Sequence, residues 1–157
     1  MYFAYHQIGS GFFLGLNRIN KAKFETHLKF FKKMGFSSHP DFKIIFDDGY
    51  ESVFKIAYPL MEKYNFKGIV FPIAGYIGKE NLWDVNFFGL NKSKHLSKNH
   101  LIHLFKNGWE VGSHGLYHKS IKNLSFNELK DDLEKSKYIL EKLLNTKIEK
   151  YTPPFGL

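Results

Sequence analysis

Two neighbouring carboxylates and a pair of histidines form the part of this 157-residue sequence best suited to chemistry. Asp47 and Asp48 come directly after the apolar residues 44–46, which have the character of a buried strand. His114 and His118 follow a second strand-like run and are spaced four residues apart. One carboxylate and two imidazoles suffice to hold a divalent metal ion and leave a position open for water. The second carboxylate is then free to act as a base.

Each of these two signals also has a plain structural explanation. Adjacent aspartates before a glycine are common in turns, where they cap a helix or face solvent. A histidine pair is likewise often no more than a surface feature. The carboxyl ends of parallel strands meet at one edge of a sheet, however, and both signals follow such strands. Taken together, the two motifs favour a metal site.

The other histidines offer weaker candidates. His100 and His103 could share one helix face, but they have no nearby acid and alternate with leucine and isoleucine, which indicates a surface or boundary position. His39 and His95 are interpreted as loop residues. His6 ends the N-terminal apolar segment and is a candidate for lining the pocket.

Composition narrows the class of protein. The chain has no cysteine, so disulfides contribute nothing to its stability and any metal must be held by histidine and carboxylate. Its net charge of +8 comes from scattered lysines, and we therefore do not expect a nucleic-acid partner. There is no apolar stretch of about 18 residues and no basic leader before an apolar core. We expect a single soluble, cytoplasmic domain over residues 1–157.

Strand-like and helix-like segments alternate along the chain, which predicts an α/β fold with a largely parallel sheet. Gly68–Pro72 reads as a second buried strand, and the stretch 75–94 is too long for an ordinary connection. Ser125 and Glu128 form a capping box at the start of a long helix. The other predicted elements are strands at 2–8, 43–46, 109–112 and 147–151, and helices at 21–34, 52–64 (bent at Pro59) and 97–108.

Three motifs resemble those of the polysaccharide deacetylases, carbohydrate esterase family 4 with its NodB-homology domain. Residues 46–49 read Phe-Asp-Asp-Gly, and residues 112–118 read Gly-Ser-His-Gly-Leu-Tyr-His. Residues 151–156, Tyr-Thr-Pro-Pro-Phe-Gly, resemble the third motif. The order and spacing of all three match the family over almost the whole chain.

The resemblance implies a distorted (β/α) barrel and the metal-dependent removal of N- or O-acetyl groups from carbohydrates. By motif position Asp47 would be the general base, and Asp48, His114 and His118 would be the metal ligands. The backbone N–H of Phe155 would help to hold the oxyanion. Zinc is the expected metal for this ligand set, and cobalt and nickel suit the same ligands. Candidate substrate contacts are His6, Tyr50, Trp83 and Pro154.

The sequence departs from the family pattern at three points. Gly115 replaces a serine or threonine whose hydroxyl would steady the histidine loop. Thr152 replaces an arginine that would pair with the base. The chain also ends at Leu157, immediately after the third motif, so the leaving-group histidine of the later motifs has no counterpart.

These departures define the alternatives. The predicted barrel is incomplete at its C-terminal side, and a further segment or a second chain is expected to complete it. Two other functions stay open: a non-catalytic carbohydrate-binding remnant, and a hydrolase of a non-sugar amide or cyclic imide.

Overall fold

The computed structural model describes residues 1–10, 17–80 and 93–156 of the chain. In these ranges the strands are β1 (Tyr2–Tyr5), β2 (Gln7–Gly9), β3 (Arg18–Asn20), β4 (Lys43–Phe46), β5 (Gly68–Val70) and β6 (Glu110–Val111). Four of them form a parallel main sheet in the order β1-β4-β5-β6, and the short strands β2 and β3 pair in parallel with each other. The helices are α1 (Lys21–Lys33), α2 (Tyr58–Lys63), α3 (Lys98–Lys106) and α4 (Phe126–Leu144).

Strand β4 lies between β1 and β5 and carries apolar residues on both faces. Ile44 and Phe46 are completely buried, and the Phe46 ring packs against Phe24 of α1 and against Trp109. Ile45 points to the opposite face, because successive side chains of a strand alternate. β4 thus ends inside the protein, with the two aspartates immediately after it.

Short-range signals define the helix ends. Ser97 and Ser125 each accept a hydrogen bond from the backbone three residues ahead, and His100 and Glu128 return a side-chain contact, which completes a capping box at both helices. Pro59 is the second residue of α2. A π-helical segment at Val53–Ala57 precedes it, so the predicted bend at Pro59 is a change of helix type.

Two predicted strands differ from the observed ones. The N-terminal segment is broken at His6 into β1 and β2, which belong to different pairings. Residues 147–151 form no strand; this stretch makes a single parallel bridge, from Tyr151 to Ser113. A strand needs a partner along its length, and β6 is only two residues long.

The sheet is open, as expected for an incomplete barrel. On its second face a cavity of about 410 Å³ is lined mostly by apolar and aromatic side chains, among them Tyr2, Ile45, Ile69, Phe71 and Tyr151. The predicted α/β class and the unclosed barrel are confirmed. Within the described ranges, no helix is both long enough and apolar enough to cross a membrane.

Candidate metal centre

The turn after β4 places the two carboxylates. Asp47 N–H donates to the Tyr5 carbonyl across the sheet, and Asp48 and Gly49 then both adopt left-handed backbone conformations, with φ of 63° and 69°. A Cβ atom at Gly49 would lie 2.6 Å from His95 Nε2, so this position requires glycine. The left-handed turn changes the direction of the chain directly after β4, and glycine permits such a conformation.

Residues 113–118, which we call the histidine loop, leave β6 at the same edge of the sheet. The backbone N–H of His114 donates to the Pro72 carbonyl, and the carbonyls of Gly115 and Leu116 accept from Ala74 and Gly75. The loop is therefore hydrogen-bonded to the segment that follows β5. His118 has a φ of 57°, so a second ligand candidate lies in the left-handed region that non-glycine residues rarely adopt.

The structure brings the three predicted ligands together. Asp48 Oδ1 lies 3.2 Å from His114 Nε2 and 3.2 Å from His118 Nε2. One ligand atom from each residue lies within 4.8 Å of the others. Ligand atoms bound tetrahedrally to an ion at about 2.1 Å are about 3.4 Å apart, so the observed spacing fits a small divalent metal.

Hydrogen bonding explains why this cluster suits a cation. His114 Nδ1 lies 2.8 Å from the Thr152 carbonyl, which can only accept, so Nδ1 carries the proton. In the neutral ring, Nε2 then presents a lone pair to Asp48 Oδ1. That oxygen is buried and has no hydrogen-bond partner among the described residues. Facing lone pairs on two buried atoms are unfavourable unless a cation or a proton lies between them.

The charges of the site separate the two aspartates. Burial raises the pKa of Asp48, but when the facing Nε2 atoms of His114 and His118 carry protons, their hydrogen bonds and charges outweigh burial and the net pKa is lowered. Burial raises the pKa of Asp47, and the neighbouring Asp48 acts in the same direction against the opposing charges of His114 and His6. Asp48 therefore remains ionised, as a ligand must, whereas Asp47 holds a proton more readily.

The other predicted site residues lie partly near the cluster and partly away from it or outside the described residues. The Phe155 ring lies 4.7 Å from the His118 ring, and its backbone has a φ of 64°. Pro154 is buried beside the histidine loop. His6 is half-buried and close enough for its charge to act on Asp47. Tyr50 is only 1% exposed, which leaves no ring surface for a substrate. Trp83 lies outside the described residues.

The sequence predicts a loop position for His95, but the side chain is 2% exposed and lies behind the Asp47-Asp48-Gly49 turn. Its Nε2 accepts the backbone N–H of Ile73, and its Nδ1 donates to the Leu96 carbonyl. Both ring nitrogens are therefore used in the neutral form. The surrounding lysines at 92, 94 and 98 concealed this position in the sequence, because burial is decided by contacts that are distant along the chain.

The fold is an open, mostly parallel α/β sheet, and the Asp-His-His cluster at the carboxyl ends of its strands is a ligand set that suits a divalent metal ion. The family model of the polysaccharide deacetylases matches residues 38–157, and the chain belongs to this family.

Similar proteins agree with this placement. The chain is 33% identical over 133 residues to a poly-β-1,6-N-acetyl-D-glucosamine N-deacetylase of Staphylococcus aureus, covering 83% of this chain and 42% of that one. It is 25% identical to the Bacillus subtilis protein YxkH, named for the same family, covering 97% of this chain and 55% of that protein. The chain thus spans about half the length of these relatives.

Solved structures share the fold. IcaB from Ammonifex degensii superposes with a TM-score of 0.81 at 18% identity, over 99% of this chain and 74% of that chain. The Streptococcus pyogenes deacetylase PplD, solved with acetate, superposes with a TM-score of 0.78 at 19% identity, over 98% of this chain and 72% of that one.

Proposed function

We propose that this protein is a metal-dependent hydrolase that removes acetyl groups from a carbohydrate. The observation that carries the proposal is the buried Asp48 oxygen that faces two imidazole nitrogens at 3.2 Å without a hydrogen-bond partner among the described residues. Such a cluster is costly in a folded protein unless a cation or a proton lies between the facing atoms. Membership of the polysaccharide deacetylases supplies the substrate class.

The ligands in this proposal are Asp48, His114 and His118, and zinc is the expected metal, with cobalt and nickel as substitutes. A divalent ion bound there would polarise the acetyl carbonyl and lower the pKa of a bound water. Asp47, buried beside the cluster, would accept the proton of that water, a task for which its raised pKa is suitable. The N–H of Phe155 would donate to the developing oxyanion.

We further propose an N-linked acetyl group of an N-acetylglucosamine polymer as the substrate, so that the bond broken is a non-peptide carbon–nitrogen bond. The Staphylococcus aureus relative, named for this activity, supports the choice. In the active protein, we propose that other polypeptide packs against the apolar open face of the sheet. This polypeptide is either a further segment, as in the longer relatives, or a second chain.

Acetate release tests the function directly. The protein is first freed of metal with a chelator and then loaded with one equivalent of Zn²⁺, Co²⁺ or Ni²⁺. Each sample is incubated with an N-acetylglucosamine oligomer or an O-acetylated oligosaccharide. We expect more than one acetate per chain from at least one of them, with loss of activity in Asp48→Asn and retention in the surface control Asp131→Asn. Binding of oligomers without any metal-dependent acetate release would contradict the proposal and favour a carbohydrate-binding remnant.

A further inference from the structure

We propose that two residues of α4, Asp132 and Ser136, are positioning residues that hold the histidine loop in the shape required for metal binding. The inference rests on the proposed function, because it concerns the same cluster. It assigns a role in the metal site to the inner face of α4, which lies outside all three motifs. The two residues are one helical turn apart, so their side chains leave the same face of α4.

Asp132 holds the middle of the loop. Its Oδ2 accepts the backbone N–H of Leu116 at 2.9 Å, and Leu116 lies halfway between the two histidine ligands. Gly115 makes this approach possible. A Cβ atom at that position would lie 2.8 Å from the same oxygen, and its φ of 79° also favours glycine. The carboxylate therefore occupies the space that a side chain at residue 115 would need.

Ser136 holds the start of the loop through a chain of hydrogen bonds with a defined direction. Gly115 N–H donates to Ser113 Oγ at 3.2 Å, and the Ser113 hydroxyl donates to Ser136 Oγ at 3.0 Å. The Ser136 hydroxyl then donates to the Leu133 carbonyl at 3.1 Å, so the chain ends on the helix backbone. Ser136 is completely buried. A buried hydroxyl with all its partners fixes the geometry around it.

The loop needs such support because His118, a non-glycine residue, has a left-handed backbone conformation. Strained backbone persists only where neighbouring contacts determine it. The hydrogen bonds from α4 reach the loop at Ser113 and at Leu116, on both sides of His114. Releasing them would let the two imidazoles move relative to Asp48, and metal affinity depends on that relative position.

The test measures metal affinity and folding separately on the 157-residue chain. Zn²⁺ dissociation constants are obtained by competition with a chelator of known affinity, and folding by circular dichroism and thermal denaturation. We expect Asp132→Ala to weaken Zn²⁺ binding by about 10–100-fold, in the range measured for outer-shell partners of metal ligands. Asp132→Asn retains an oxygen that accepts the Leu116 N–H and should bind Zn²⁺ close to the wild-type constant.

Asp131→Ala is the matched control, because Asp131 pairs with Lys135 on the exposed side of the same helix. It should leave the Zn²⁺ constant unchanged. If Asp132→Ala folds and binds Zn²⁺ as tightly as Asp131→Ala, the positioning role is wrong and the proposed function stands. If Asp132→Ala does not fold, Ser136→Ala decides: weakened Zn²⁺ binding supports the inference and wild-type binding overturns it. Failure of the wild-type chain itself to bind Zn²⁺ would overturn both proposals.

Discussion

At the scale of single residues, the site depends on an asymmetry between two identical side chains that are adjacent in sequence. Asp48 has a left-handed backbone and faces both Nε2 atoms, whereas Asp47 keeps a backbone bond to β1 and has a raised pKa because it is buried. The proposed roles of ligand and base follow from these positions. Each role responds differently when a carboxylate is replaced by an amide.

We predict that Asp47→Asn retains metal affinity and loses catalytic rate by orders of magnitude, whereas Asp48→Asn loses the metal first. An amide keeps the shape of a carboxylate but takes up no proton, and it is a poor replacement for an anionic ligand. Zn²⁺ titration and initial rates of acetate release, measured on both variants, check the assignment. If Asp47→Asn is the variant that releases metal, the two roles are reversed.

The residue types of the site could be predicted because metal binding and proton transfer require particular side chains, here at strand ends. The contacts that support these side chains could not be predicted from the sequence. The Thr152 carbonyl that fixes the His114 tautomer is a backbone atom, and backbone atoms leave no sequence signal. In the sequence, Thr152 is distinguished only by standing where the family has an arginine. Its backbone nevertheless contacts a proposed ligand directly.

At the scale of elements, the turn after β4 is supported from behind by a buried histidine. His95 connects the segment after β5 to residue 96, whose N–H in turn donates to the Gly49 carbonyl. Burial lowers the pKa of His95 to about 4, because protonation would remove the acceptor of the Ile73 N–H and place a charge in the interior. A neutral His95 is thus part of the folded state.

This arrangement predicts a pH-dependent stability. Between about pH 4 and pH 6.5 the unfolded chain binds a proton at residue 95 that the folded chain does not, so the free energy of unfolding falls as the pH drops through this range. His95→Gln offers the same donor and acceptor without titrating. Urea denaturation of both proteins, in chelator, should show the wild type losing about 2 kcal/mol more than the variant from pH 7 to pH 5.

The comparison isolates residue 95, because the site histidines are common to both proteins. Parallel pH profiles for wild type and His95→Gln would show that His95 titrates normally and that its burial has no consequence for stability.

Helices and strands could be predicted where the sequence signal lies within the segment itself. They could not be predicted where the structure depends on pairing with a distant segment. The capping box at Ser125 marks a helix start correctly, because the cap residues contact only their own first turn. The predicted strand at 147–151 is wrong for the opposite reason. The residue pattern alone makes no strand, and the bridge that this stretch forms pairs Tyr151 with Ser113, beyond the end of the two-residue β6.

At the scale of the whole molecule, the chain contains the proposed base and metal ligands but no histidine after His118. An amine leaves a tetrahedral centre only when it is protonated, whereas a phenolate with a low pKa leaves without a proton. General acid catalysis typically contributes roughly 10²–10⁴-fold to such a step.

The leaving group of the substrate should therefore determine what this chain can hydrolyse by itself. We expect the Zn²⁺-loaded chain to turn over an activated aryl acetate many times and an N-acetylglucosamine oligomer very slowly, with Asp48→Asn abolishing both reactions. Efficient turnover of the oligomer would mean that an acid is already present. His6, which lies close enough to act on Asp47, is then the residue to test. In that case His6→Ala should suppress the amide reaction and spare the aryl ester, because only the amide needs the proton.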